Sequence, residues 1–182
     1  MVRYLLRHPE PVGIDGLCYG RLEVALEPGW EDAVGRAWHR LQACEPGITR
    51  IVTSPARRCF EPAHWLGERL TVPVVSDARL RELDFGIWEG RRWDAIDGPD
   101  CRAWTDDFVN RAPPSGESFA ALAARVQAAR TDWEQQGGCS LFLCHSGPIR
   151  VLLTAQHGLS LAHAFSMTLA FAELVELSPG RV

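Results

Sequence analysis

Apolar residues along this chain come in short unbroken runs and in longer spaced patterns, and the two kinds alternate. Residues 2–6 (VRYLL) predict a short strand. Residues 30–43 carry Trp30, Val34, Ala37, Trp38 and Leu41 three and four apart, which predicts an amphipathic helix. Residues 48–52 (ITRIV) read as a second strand. The Ser54-Pro55 pair that follows looks like an N-cap with proline at the first helical position. Residues 72–76 (VPVVS) read as a third strand. Residues 117–134 place Phe119, Leu122, Val126, Ala129 and Trp133 on one helical face, and Gly137-Gly138 ends that pattern. Residues 139–145 (CSLFLCH) are a continuous run of the kind buried on both faces of a sheet. Gly147-Pro148 opens a further helix to about Gln156, and residues 170–177 (AFAELVEL) read as a last strand.

Strands separated by helices predict an α/β fold, three-layered, with a mostly parallel central sheet and helices on both faces. The length suits one domain over residues 1–182. Residues 84–116, rich in Trp, Asp, Gly and Pro, are the least regular and are expected to form a lid or cap.

Composition changes this picture little. An apolar fraction of 46% and a charged fraction of 23% are ordinary for a soluble protein. A net charge of −4 gives no global field that favours nucleic acid or an anionic membrane. No apolar run approaches transmembrane length, and residues 1–8 are too short for a signal peptide, so a cytoplasmic location is expected. The six cysteines have no pairing rhythm and read as reduced thiols. Cys139, Cys144 and His145 lack the second ligand pair of a zinc site, and no metal is expected. All 19 basic residues are arginine, a usage that a genome rich in G and C explains, so each arginine needs its own argument.

Candidate chemistry gathers at three strand ends. In open α/β sheets, ligands bind beyond the carboxyl ends of the strands. The first strand ends in Arg7-His8, the second in Thr53-Ser54 with Arg57 and Arg58 close behind, and the late one in His145-Ser146-Gly147. Helix N-termini and guanidiniums both suit an anion. Alone, His8 or His145 reads as a satisfied core histidine, and Arg58 as a solvated charge. Together they read as a phosphate pocket holding two histidines.

These segments resemble the histidine phosphatase (phosphoglycerate mutase-like) superfamily. "LLRHPE" is similar to its R-H-G-E opening, "TSPARRC" to its S-P-x-x-R segment, and "LRELDFGIWEG" to its L-x-E-x-x-F-G-x-W-E-G segment. "PPSGESF" resembles its G-E-S segment, and "LCHSGPIRVLL" its second histidine motif. The matches keep family order over residues 4–153, and "GLCYGRLEVAL" looks most like the α-ribazole phosphatase branch.

The resemblance implies a metal- and cofactor-independent phosphomonoesterase acting on a small phosphorylated metabolite. His8 would be the nucleophile, with its second nitrogen tied to a backbone carbonyl. Arg7, Arg58 and a cationic His145 would hold the phosphoryl oxygens. Glu82 would be the general acid, a role that needs its pKa raised; read without the family, it would pair with Arg79 or Arg81. Arg21, Glu117 and Ser146 are candidates for substrate contact. Trp88, Trp93 and Trp104 read as core or lid packing, with stacking on a nucleoside base as the sharper alternative. α-Ribazole 5′-phosphate, broad small-metabolite hydrolysis, bisphosphate-dependent mutase activity and a catalytically weak phosphate-binding module stay open, as does a homodimer. Departures from the family pattern are Pro9 and Ser146 where it has glycine, Glu23 where the branch often has Asp, and Ile14 where many relatives carry a polar phosphate contact. Pro62 should kink or restart the helix bearing Arg58.

Overall fold

The computed structural model describes residues 1–44 and 47–178. Strand β1 (Val2–Arg7) leads to helix α1 (Trp30–Gln42), then β2 (Arg50–Thr53), α2 (Arg57–Leu70) and β3 (Val74–Ser76). The segment expected to be irregular holds two short 3₁₀ turns and one helix, α3 (Pro99–Asp106). Then come α4 (Phe119–Gln135), β4 (Ser140–Cys144), α5 (Ser146–Gln156) and β5 (Leu174–Glu176). The sheet order is β3-β2-β4-β1-β5. Four strands are parallel, and β5 runs antiparallel on the β1 edge. The α/β architecture anticipated from the alternating pattern is the one observed.

Side-chain alternation divides the core in two. Ile51, Leu141 and Leu143 pack against α1 and α2, while Val52, Phe142 and Cys144 pack against α4 and α5. β1 obeys the same rule except at its start. Val2 and Tyr4 lie on opposite faces, because the β1–β4 register slips between them. β4 is buried throughout, as its unbroken apolar run requires.

Several boundaries differ from expectation. α2 begins at Arg57 with Ala56 in the capping position, so Ser54-Pro55 lies in the turn before it. Ser54 still serves that turn, its hydroxyl accepting from the Ala56 N–H at 3.3 Å. α2 also runs through Pro62 as one helix. α3 was not anticipated; Gly98-Pro99 starts it, with proline at a position where a missing N–H is harmless.

Candidate active site

Parallel pairing places the candidate residues side by side. Arg7 is level with Cys144 and Thr53 with Leu143, so the next residues, His8, Ser54 and His145, leave one edge of the sheet together. The His8 N–H donates to the Cys144 carbonyl and the Ser54 N–H to the Leu143 carbonyl, which extends the ladder to that point. The two imidazoles meet edge to face, with centroids 5.2 Å apart. His8 is 2% exposed and His145 fully buried.

The His8 Nδ1–H donates to the Pro9 carbonyl at 2.7 Å, leaving Nε2 as the free lone pair. A carbonyl is supplied equally by glycine or proline, so Pro9 preserves this contact. Nε2 of His145 lies 2.8 Å from the Ser54 hydroxyl, and the Cys59 thiol sits 3.5 Å from the same nitrogen. Burial, reinforced by Arg58, pushes the pKa of both histidines well below the ordinary value. Without a phosphate beside it, His145 is therefore held toward its neutral form. Burial also drives the Cys59 thiol well above its usual range, so it is a packing group here.

Arg58 is 1% exposed, whereas Arg57 points outward and pairs with Glu61 at 2.5 Å. The Arg58 guanidinium donates to the Leu22 and Gly20 carbonyls at 2.8 and 2.6 Å. Arg7 donates to the Leu169 carbonyl at 2.5 Å and lies 3.8 Å over the Phe171 ring. In both arginines the buried Nε–H has no partner among the described residues. Such a donor costs about 1–3 kcal/mol unless an acceptor reaches it.

The helix N-termini hold anions from the protein itself. At α5 the Gly147 N–H and the Ser146 hydroxyl donate to the Glu82 carboxylate, each at 3.1 Å. At α2 the Arg57 N–H donates to Glu23 at 3.0 Å. Glu82 thus makes no ion pair with Arg79, which binds Asp77 and Asp132, or with Arg81. Gly147 is needed for this seat, since a Cβ there would come within 2.1 Å of Glu82 Oε1.

Arg21 and Glu117 are engaged with other charges. Arg21 reaches Asp84 at 3.0 Å and Glu117 at 3.2 Å, and Glu117 also binds Arg125. Arg125 donates to the carbonyls of Arg79, Arg81 and Glu82, so this network supports the segment bearing Glu82. Glu89 accepts from the N–H groups of Arg21, Leu22 and Phe85 and holds the 20–22 loop. Neither Arg21 nor Glu117 lines the adjoining cavity.

That cavity, of about 110 Å³, is lined by Glu82, Ser146, Gly147 and Arg150 on its polar side and by Tyr19 and aromatic rings elsewhere. Neither imidazole lines it. Tyr19 is shared, lining the cavity with its ring 5.5 Å from the Arg58 guanidinium. Trp88 is buried against Trp104, and Trp93 stacks on Trp104 while reaching the cavity wall. Reasoning from sequence passed over Tyr19, Arg125 and Arg150, and placed Ser54 at the sheet edge without its contact to His145. Arg150 was signalled by its place one turn beyond the His145 motif. Among the described residues no group of three or more His, Cys, Asp or Glu is arranged to hold a metal ion, and no helix is long and apolar enough to cross a membrane.

Comparison with known proteins matches residues 3–181 to the model of the histidine phosphatase superfamily (branch 1). Probable phosphoglycerate mutase GpmB of Klebsiella pneumoniae is 33% identical over 69% of this chain, and the chain covers 60% of that protein's length. The mycobacterial glucosyl-3-phosphoglycerate phosphatase Rv2419c, in complex with VO3, superposes with a TM-score of 0.83 at 27% identity, covering 98% of this chain and 91% of that one. The α-ribazole phosphatase of Shigella flexneri shares the fold, with a TM-score of 0.82 at 23% identity over 94% of this chain and 87% of the other.

Proposed function

The chain belongs to the histidine phosphatase superfamily, and on that premise we propose that it is a phosphomonoesterase working through a phosphohistidine. One observation carries this reading: the Nδ1–H of His8 is tied to the Pro9 carbonyl, which leaves Nε2 as the lone pair 
beside His145, Arg7 and Arg58. A neutral imidazole is the form that can attack a phosphate dianion. Burial and Arg58 keep His8 in that form.

In the proposed reaction, His8 Nε2 attacks phosphorus in line and the P–O ester bond breaks. The departing alkoxide takes a proton from Glu82. Water then attacks phosphorus and gives a proton to Glu82, and the N–P bond breaks. Inorganic phosphate leaves and the lone pair returns to His8. The unpartnered Nε–H donors of Arg7 and Arg58 suit equatorial oxygens. His145 takes up a proton when the dianion arrives, because a nearby negative charge favours imidazolium. His8 is 2% exposed and has the Phe171 ring 5.7 Å away, so an ester reaches Nε2 only when the groups that cover the ring move.

The substrate in this reading is a small phosphorylated metabolite. α-Ribazole 5′-phosphate is one candidate, favoured by the "GLCYGRLEVAL" segment and an aromatic-walled cavity. Phosphate release from phenyl phosphate by wild type, with an acid-labile phosphoenzyme, tests the proposal. His8→Ala should abolish both. Equal release by His8→Ala overturns the phosphohistidine route, and no release from a broad ester panel overturns the phosphatase reading in favour of a binding module. Bisphosphate-dependent transfer without release would indicate a mutase.

A further inference from the structure

Arg150 stands apart from the other arginines around the site. It lies on α5, one turn beyond Ser146 and Gly147, and lines the same cavity as Glu82. Arg7 and Arg58 donate to backbone carbonyls at short range, and Arg125 binds Glu117. The Arg150 guanidinium has one weak acceptor, the Met167 carbonyl, at 3.3 and 3.4 Å. Its Nη1 makes no hydrogen bond among the described residues. No carboxylate of the described residues comes within ion-pairing distance, although Glu82 is near enough to act on it. Burial is the main force lowering its pKa.

The surroundings sharpen the mismatch. Apart from its polar side, the cavity that Arg150 lines is walled by Leu17, Leu83, Phe85, Trp93, Phe119 and Phe165. The Phe165 ring lies 5.1 Å from its guanidinium carbon. A half-buried cation among apolar groups loses hydration and needs a counter-anion. The described residues place none in contact. The phosphoryl group to be transferred belongs with Arg7 and Arg58 beside His8. Arg150 is a turn of helix further on, on the side of Glu82, where the alcohol half of an ester would sit.

We infer that Arg150 is a specificity-determining residue that binds a carboxylate on the alcohol half of the substrate, making the favoured substrates phosphomonoesters of small hydroxy acids with an apolar or aromatic body. The inference rests on the phosphomonoesterase reading above. A carboxylate fits because its two oxygens match the planar fork of a guanidinium. One guanidinium also balances one negative charge, where a second phosphate would bring nearly two. The cavity volume of about 110 Å³ holds a body of roughly seven to ten heavy atoms. A neutral nucleoside gives Arg150 no counter-charge, so a carboxylate ester should outrank α-ribazole 5′-phosphate.

The test compares phenyl phosphate with 4-carboxyphenyl phosphate. Wild type should favour the carboxylate ester by about 10- to 100-fold in kcat/KM, chiefly through KM. Arg150→Gln should bring the ratio close to one, and Arg150→Lys should restore part of it. An equal ratio in wild type and Arg150→Gln overturns the inference. So does an Arg150→Gln shift in the pH profile that is the same for both esters, which would mean that Arg150 acts through Glu82. If wild type hydrolyses neither ester nor any of the broad panel, the phosphatase reading fails. Calorimetric binding of the two esters to wild type then decides the role of Arg150 by itself: preference for the carboxylate ester supports it, and equal affinity overturns it.

Discussion

At the scale of single residues, the site depends on close approaches that allow no extra atoms. Gly147 is the sharpest case. Its N–H donates to Glu82, and the space a methyl group would fill is already taken by a Glu82 oxygen. Gly147→Ala should therefore push Glu82 from its seat on α5 while leaving His8 in place. General acid–base help is worth about 10²–10⁴ in rate, so phosphate release from an ester with a poor leaving group should fall by about 10²-fold or more. Release from an activated aryl ester, which needs little proton transfer, should fall far less. A uniform loss with both esters would place the damage elsewhere. The glycine was legible in the motif, but its role was not. Ser54 shows the same limit. It was read as a helix cap, yet its hydroxyl also contacts His145 at 2.8 Å, a partner that lies on another strand.

At the scale of elements, the segment carrying Glu82 has no regular structure of its own at that residue and relies on α4. Arg125 reaches from α4 to three successive backbone regions, binding the carbonyls of Arg79, Arg81 and Glu82, and to Glu117. Arg125→Met should leave those carbonyls without their side-chain donor and leave Glu117 with Arg21 and the Asp84 N–H alone. The expected cost is about 2–4 kcal/mol of stability, read by chemical denaturation, with phosphatase activity falling because Glu82 is less firmly placed. Unchanged stability would remove this network from the account. Elements with strong periodicity, such as α1, α4 and β4, were legible in the sequence. α3 was not, because its 8 residues have no fully buried face and it is held by neighbouring aromatic rings. Glu117 and Arg21 lie in connecting segments, and their pairing with Arg125 and Asp84 links distant parts of the chain and leaves no local signal.

At the scale of the whole molecule, two neutral histidines are buried among Arg7, Arg58 and Arg125, with Glu82 nearby. Their pKa values lie well below the ordinary value of 6.5, so the unfolded chain binds protons that the folded one refuses. Stability from these rings is present above pH 6.5 and is lost as pH falls below it. The slope should approach about 1.4 kcal/mol per pH unit for each ring. The melting temperature should accordingly drop between about pH 7 and pH 5, and His145→Gln should flatten that drop. Inorganic phosphate should flatten it too, since a bound dianion favours the protonated ring. A melting temperature independent of pH in this range would contradict the burial of both rings in neutral form. The sequence by itself determined the layered α/β fold and the shared sheet edge of His8, Ser54 and His145. Periodic burial is a local property, and parallel strands carry their ends to one side. Only the tertiary structure decided which charges are engaged and which stand free. Arg21, Glu117, Glu23 and Arg150 look alike as letters, and the contacts that separate them form between residues far apart along the chain.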